Sequence, residues 1–169
     1  MGYSFIMAQD LAFEKALEFV FAAEGIESDD SSDPGGHTRF GISQKAYPDE
    51  DIGAMTRERA AFLYKRDYWT PIHGDLLGAA GLCVFDSAVN QGTRLAVRLL
   101  QSALDVEMDG KVGPDTMEAL RQADMSDVIH RFTASRIQHY AGTEGWYKYQ
   151  KGWILRANRA MQASLDQIA

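Results

Sequence analysis

A segment from about Leu76 to Asn90 is apolar on nearly every side of a helix, and Gly92 follows it as a helix-ending residue. A helix without a wide polar face is stable only where neighbouring elements cover it. The segment therefore predicts a central, buried helix. A chain of 169 residues is long enough to build one domain around such a helix.

The segments around it have the spacing of amphipathic helices. From Leu11 to Phe21, apolar residues recur with a rhythm of about 3.6 residues. This rhythm predicts a helix that is capped by Asp10 and ends near Glu24. Further helices are predicted to begin at Thr56, Thr93, Pro114, Ser126 and about Tyr149.

Residues 27–37 differ from these segments, because they are polar, contain two consecutive glycines and lack periodicity. Such a composition predicts a loop, and Thr38 to Ser43 fit a short strand or an extended turn. No internal repeat, low-complexity segment or long linker interrupts the chain. The predicted fold is therefore mainly α, an integrated helical domain with one long loop and at most a short β-hairpin.

The charge balance and the cysteine count exclude several classes of function. The chain carries 17 Lys and Arg against 24 Asp and Glu, a net charge of −7, whereas a nucleic-acid-binding protein needs a basic face. The single cysteine, Cys83, cannot form an internal disulfide or a cysteine-based zinc site, and its apolar neighbours predict a buried thiol. The four histidines are dispersed, so we expect no metal and no cofactor.

No segment predicts insertion into a membrane. The most apolar stretch, Leu11 to Ala23, contains Glu14, Lys15 and Glu18, and it is too short and too charged to span a bilayer. It also lacks the basic leader of a signal peptide. We therefore expect synthesis in the cytoplasm, with passage across the membrane depending on another component.

Glu24 is the first candidate catalytic residue. It lies at the end of an apolar helix, where the negative end of the helix dipole disfavours ionisation of a carboxyl group. Apolar walls would act in the same direction and favour the form that carries a proton. A glycosidase needs these conditions for its general acid. The alternative interpretation is a solvated charge at a frayed helix end.

The spacing after Glu24 resembles known enzymes. Glu24, Asp33 and Thr38 resemble the Glu/Asp/Thr arrangement of phage-type lysozymes, although the segment before the threonine is one residue shorter. The stretch from Asp33 to Ile42 is still more similar to glycoside hydrolase family 108, an N-acetylmuramidase family, in its motif Asp-Pro-Gly-Gly-x-Thr-x-Phe-Gly-Ile. The family also has a Glu-Gly-Gly motif, which here begins at Glu24. This motif departs from the family, because Ile26 stands where the second glycine is usual.

The resemblance extends over about residues 11–160. The pair Tyr68-Trp69, the central motif at residues 85–92, the segment at residues 109–116 and the closing helix with Arg156 each match the family in the same order. This resemblance implies a lysozyme-like catalytic lobe at residues 8–92. It also implies a helical C-terminal lobe at residues 93–169 that resembles a peptidoglycan-binding segment.

The resemblance also implies roles for individual residues. Glu24 would be the general acid that protonates the oxygen between N-acetylmuramic acid and N-acetylglucosamine. Asp33 would stabilise positive charge on the sugar or orient a water molecule, unless it only shapes a turn. Thr38 would hold that water. A long loop leaves room for water, which fits an inverting mechanism.

Other residues are candidates for substrate binding. Asp86 and Asn90 lie four residues apart on one face of the central helix, where they could bind sugar or instead satisfy internal hydrogen bonds. Tyr68 could stack on a sugar ring, although aromatic residues at helical spacing often belong to the core. Trp146 lies in a polar connection, where it could contact an outer part of the substrate. The full set of predicted substrate-binding residues is His37, Phe40, Gly41, Tyr68, Asp86, Asn90 and Trp146.

Two alternatives remain open at this point. A lytic transglycosylase would also use one glutamate, but it would leave anhydromuramic ends. A non-catalytic peptidoglycan-binding or secretion accessory protein would need no acid at all. For the muramidase, the expected partners are bacterial peptidoglycan and a holin or a secretion system, and we expect a monomer that acts in the periplasm or cell wall after release.

Overall fold

The computed structural model describes residues 2–24, 27–28 and 38–168, with side chains of the first helix from Leu11 onward. The helices in these ranges are α1 (Gly2–Glu24), α2 (Arg57–Tyr64), α3 (Gly81–Gln91), α4 (Thr93–Ala103), α5 (Pro114–Gln122), α6 (Met125–Ala141) and α7 (Trp146–Leu165). A π-helical turn, Lys65–Trp69, extends α2, and two 3-10 turns, Gly74–Leu76 and Gly78–Ala80, precede α3. The prediction of a mainly α, lysozyme-like fold is confirmed.

The small β-sheet is larger than predicted. Three strands of two residues each, β1 (Glu27–Ser28), β2 (Thr38–Arg39) and β3 (Ile42–Ser43), pair antiparallel in the order β1-β2-β3. The sequence predicted at most a hairpin, because the polar segment that includes β1 has no alternating pattern. The sheet lies between α1 and α2 in the chain.

Helix α3 occupies the centre, as predicted. Every residue from Gly81 to Ala88 is buried, and the helix packs against α1, α4, α6 and α7. The α-helix itself begins five residues later than the sequence suggested, because Gly78 adopts a φ of 56° and the chain there forms 3-10 turns. Cys83 is buried, as predicted, and its N–H donates to Ser164 Oγ over 3.1 Å, which joins α3 to the end of α7.

An aromatic cluster packs beneath α3. The ring of Trp69 lies 5.5 Å from the ring of Phe13 and 5.4 Å from that of Phe85. Its indole N–H donates to Asp75 Oδ1 over 2.8 Å. A Cβ added to Gly74 would lie 2.3 Å from the indole, so only glycine allows the chain to pass this close to Trp69.

The structure confirms several of the predicted helix starts and corrects others. Thr56 caps α2 by accepting from the Arg59 N–H, as predicted. Asp10 as an N-cap is wrong, because α1 begins at Gly2 and continues through it. The cap of α6 is Asp124 rather than Ser126, since Asp124 accepts from the Asp127 N–H over 2.9 Å. Helix α7 begins at Trp146 instead of Tyr149, directly after Gly145 with a φ of 89°.

One buried glutamine organises the connection between α4 and α5. Gln101 Nε2 donates to Asp109 Oδ1 over 2.7 Å and to the Lys111 carbonyl over 2.9 Å. Its Oε1 accepts from the Gly110 N–H over 2.8 Å. The turn predicted at residues 109–110 is therefore anchored to α4. Among the described residues, none of the helices is sufficiently long and apolar to cross a membrane.

Candidate active site

Glu24 is the last residue of α1, and its side chain is 29% exposed. Its Oε1 lies 2.7 Å from Nη1 of Arg156 on α7. The sequence did not identify this cation, whose guanidinium forms a charge-assisted ion pair with the carboxylate. Apolar walls around Glu24 stay a prediction, because residues 29–37 of the loop lie outside the described residues.

Arg156 belongs to a buried ionic network. Asp86 on α3 is 0% exposed, its Oδ1 lies 2.8 Å from Arg156, and its Oδ2 lies 2.7 Å from Nη1 of Arg136 on α6. A buried carboxylate is tolerated only when it is paired in this way. Burial alone would lower the pKa of Arg156, but the charges of Asp86 and Glu24 and their hydrogen bonds outweigh burial and raise it. The guanidinium therefore stays charged.

The prediction that Asp86 contacts the substrate is corrected by this burial. Both of its carboxylate oxygens are used by arginines inside the protein, and no part of the residue is exposed. Asp86 is therefore a positioning residue that holds Arg156 beside Glu24. This was the internal role that the sequence left open for a polar residue on an apolar helix.

The turn between β2 and β3 presses against Glu24. Phe40 and Gly41 form a two-residue hairpin loop with φ values of 53° and 75°, as a type I′ turn requires. A Cβ added to Gly41 would lie 2.9 Å from Glu24 Cγ and 2.4 Å from Tyr64 Oη. Glycine therefore lets the backbone of the turn contact the catalytic candidate directly.

Tyr64 and Phe21 fix this turn in place. The Tyr64 hydroxyl donates to the Phe40 carbonyl over 3.1 Å, and the Phe40 ring lies 5.5 Å from the ring of Phe21 on α1. Burial, and then the charge of Glu24, raise the pKa of Tyr64, so its hydroxyl keeps its proton and remains a donor. Phe40 thus attaches the hairpin to α1, and its predicted contact with substrate stays a prediction.

Thr38 lies in β2, where it pairs with Ser28 of β1 and Ser43 of β3. It is half-buried and precedes Gly41 by three residues, which brings it into the same small sheet as the turn that contacts Glu24. Asp33 and His37, the other two predicted residues of this loop, lie outside the described residues.

Asn90 joins the same network from the end of α3. It is exposed, and its side-chain oxygen accepts from the Tyr140 hydroxyl over 2.9 Å. The Tyr140 oxygen accepts in turn from Arg136 Nε over 3.1 Å. Burial raises the pKa of Tyr140, which keeps this hydroxyl protonated. Asn90 is therefore held at the surface by the cluster that positions Arg156.

Tyr68 lines a separate groove of about 610 Å³. The groove runs between the segment that follows β3 and the end of the α2 extension, and its walls include Tyr47 and Asp67, whose side chains share a 2.9 Å hydrogen bond. The ring of Tyr68 lies 5.8 Å from that of Tyr64. The Tyr64 hydroxyl lies beside Gly41, the residue that contacts Glu24. Tyr64 therefore connects this groove to the surroundings of Glu24.

Trp146 is not part of this arrangement. It is the first residue of α7, ten residues before Arg156, and is thus about 15 Å away along the helix axis. Its predicted contact with an outer part of the substrate stays a prediction. In the described part of the chain, no three His, Cys, Asp or Glu side chains are grouped so that they could hold a metal ion.

The sequence did not predict the roles of three residues of the site. Arg136, Tyr140 and Arg156 come from helices distant in sequence from Glu24. Asp86 offered the one available signal, because a carboxylate on an otherwise apolar helix needs a partner. A single sequence does not say which arginine that partner is.

Comparison with known proteins agrees with this architecture. A family model described as glycosyl hydrolase 108 matches residues 17–92, and one described as a predicted peptidoglycan domain matches residues 95–158. Residues 17–92 therefore match a glycosyl hydrolase 108 domain. Glu24, Gly41, Tyr64 and Asp86 lie within the first matched range, and Arg156 lies within the second. The first domain indicates a glycoside hydrolase of the N-acetylmuramidase type, and together the two domains indicate that peptidoglycan is the substrate.

A solved structure is similar over nearly the whole chain. It is SagA of Brucella abortus, with 29% sequence identity and a TM-score of 0.84; the match covers 94% of this chain and 96% of SagA. No curated protein sequence matches the chain.

Proposed function

We propose that this enzyme hydrolyses the β-1,4 bond between N-acetylmuramic acid and N-acetylglucosamine, with Glu24 as the general acid. The observation that carries the proposal is the position of Glu24. It is a partly exposed carboxyl at a helix end, fixed by Arg156 over 2.7 Å and bordered by the Gly41 turn. An acid that is held in one orientation can deliver its proton to a leaving oxygen.

The position of Arg156 does not depend on Glu24 alone. Asp86 also holds its guanidinium, with Oδ1 2.8 Å from Arg156, so the arginine is anchored to the central helix independently of the general acid.

The water that completes hydrolysis would be held on the opposite side of the sugar. Thr38, half-buried in β2, and Asp33 are the two candidates for this task. An inverting mechanism uses one acid and one group that orients water, with space for that water between them. We propose inversion, and proton NMR of the first products would test it: the α-anomer of the new reducing end supports inversion, and the β-anomer contradicts it.

The bond that is cut can be identified from the products. Purified peptidoglycan is digested and the fragments are analysed by mass spectrometry. Reducing N-acetylmuramic acid ends are the expected result. Anhydromuramic ends would instead make the enzyme a lytic transglycosylase, and peptidoglycan that is bound but not cleaved would favour a non-catalytic accessory protein.

The substrate also determines where the enzyme must act. We propose that it reaches the periplasm or cell wall as a monomer, released from the cytoplasm by a holin or a secretion system. Fractionation of cells before and after induction of a holin tests this route. Appearance of the protein outside the cytoplasm only after induction would support the holin, and its appearance beforehand would favour a secretion system.

A further inference from the structure

A second groove, of about 350 Å³, lies between α1 and α7. It is lined by Phe19, Ala22, Ala23, Gly152, Leu155, Arg156 and Arg159. Its walls are mostly apolar, with exposed small residues on α1 and a half-exposed leucine on α7. None of these residues except Arg156 contributes to the network around Glu24.

Gly152 indicates that this space is kept open. Glycine in the interior of a helix destabilises it relative to alanine, and Gly152 lies in the first half of the 20-residue α7. A Cβ added at this position would meet no described atom within 4 Å. No atom of the described residues therefore accounts for the glycine, whereas close approach of a ligand to the helix backbone would.

The charged rim of the groove favours an anionic ligand. Arg159 is exposed and makes no ion pair with any described side chain, so its guanidinium is available to a carboxylate, the partner that arginine binds best. The guanidinium of Arg156 is already paired with Glu24 and Asp86, so Arg159 supplies the cation of the groove. A ligand for this groove should therefore combine small apolar groups with at least one carboxylate.

The groove adjoins the catalytic candidate, because Arg156 lines it and also contacts Glu24 at 2.7 Å. In peptidoglycan, the muramic acid next to the cleaved bond carries a peptide stem, which contains alanine methyl groups and free carboxylates. This stem begins within one sugar of the cleaved bond. The methyl groups of the stem match the apolar walls of the groove, and its carboxylates match Arg159 at the rim.

We infer that the groove between α1 and α7 binds the peptide stem of the muramic acid beside the cleaved bond. The alanine methyl groups pack against Phe19 and Leu155, and a stem carboxylate pairs with Arg159. This inference rests on the proposed function, since that function puts muramic acid next to Glu24. It makes the enzyme selective for glycan that carries peptides.

The test is calorimetric titration of the wild-type protein with two products, the N-acetylglucosaminyl-N-acetylmuramic acid disaccharide with its peptide stem and the same disaccharide without it. We expect tighter binding of the peptide-bearing form. Gly152→Phe fills the groove and should reduce the affinity for the peptide-bearing disaccharide to the affinity for the bare disaccharide. Arg159→Gln should weaken binding of the peptide-bearing disaccharide about threefold to fivefold, as expected for loss of an exposed ion pair.

Matched controls separate this effect from general damage. Lys151→Phe adds the same ring one residue away on α7, outside the groove, and Arg121→Gln removes an exposed arginine on α5. Both should bind the two disaccharides as the wild type does. Circular dichroism should show that Gly152→Phe is folded.

Equal affinity of the wild-type protein for the two disaccharides would overturn the inference, as would equal losses for both ligands in Gly152→Phe. These results are distinct from failure of the proposed function. A protein that binds the peptide-bearing form more tightly but cleaves no glycan would contradict the muramidase proposal and leave the groove assignment standing.

Discussion

Arg156 on α7 lies 2.7 Å from Glu24 at the end of α1, so the first and last described helices meet at the catalytic candidate. Arg156 is itself fixed by Asp86 on the central helix. The position of Glu24 therefore depends on residues from three separate helices.

Replacing Asp86 with alanine should destabilise the fold by about 3–5 kcal/mol, because it leaves the buried Arg136 without its anion and removes one of the two carboxylates that hold Arg156. Urea denaturation measures the free energy of unfolding. Glu118→Ala is the control, since it removes only an exposed pair with Arg121 and should cost about 0.5 kcal/mol or less. A loss of under about 1 kcal/mol for Asp86→Ala would contradict the structural role of this network.

Gly41→Ala should reduce hydrolysis of peptidoglycan at least tenfold. The new methyl group would enter the space of Glu24 and Tyr64, and a φ of 75° costs a non-glycine residue about 1–2 kcal/mol. The loss of turbidity of a peptidoglycan suspension gives the rate, and circular dichroism reports folding. Gly142→Ala, at a φ of −93° with its nearest neighbour 3.6 Å away, should retain activity. Equal rates for the two variants would show that the turn does not constrain Glu24.

Stability at alkaline pH should depend on Cys83. Burial raises the pKa of its thiol to about 11. Between about pH 8.5, where an unfolded cysteine ionises, and pH 11, the unfolded chain loses a proton that the folded chain retains, so stability falls as the pH rises. This loss should reach about 2–3 kcal/mol.

Comparison with Cys83→Ala isolates the contribution of the thiol. Urea denaturation of both proteins at pH 7 and at pH 11 gives four free energies of unfolding. The decline between the two pH values should be smaller in the variant by that amount. A thiol reagent should also leave native Cys83 unmodified at pH 7, and rapid modification would show that the site around it is open.

Tyr68→Ala should raise the KM for peptidoglycan about twofold to tenfold and change kcat little, because an aromatic contact contributes about 0.5–1.5 kcal/mol. The reason is that Tyr68 lines the groove that Tyr64 connects to Glu24. Initial rates over a range of peptidoglycan concentrations separate KM from kcat. Tyr147→Ala is the control, since this side chain is 91% exposed on α7. A fall in kcat alone would place Tyr68 outside glycan binding.

Much of the fold could be predicted from local patterns. The apolar segment that became α3, the cap at Thr56 and the end of α1 at Glu24 all depend on residues close in sequence, and the structure has them as predicted. The start of α6 was misplaced because Ser126 and Asp124 are both good caps. Choosing between them requires the surrounding structure.

The site was less accessible to sequence analysis. Glu24 and Gly41 were candidates because their motifs are local and resemble a family, and the structure places the two residues in contact. The role of Asp86 was left open, because its partners Arg136 and Arg156 lie 50 and 70 residues away. The cation beside Glu24 was missed for the same reason: a local pattern shows the helix that carries a carboxyl, but not the arginine that a distant helix brings to it.

Hydrolysis of purified peptidoglycan by the wild type, Glu24→Gln and Glu14→Gln tests the central claim most directly. Both glutamates are exposed on α1, so the two substitutions remove the same charge from the same helix. Loss of a general acid typically costs a factor of about 10²–10⁴ in rate. Glu24→Gln should therefore release at least a hundredfold fewer reducing N-acetylmuramic acid ends than the wild type, while Glu14→Gln should match the wild type. Equal activity of Glu24→Gln and Glu14→Gln would contradict the assignment of Glu24 as the acid.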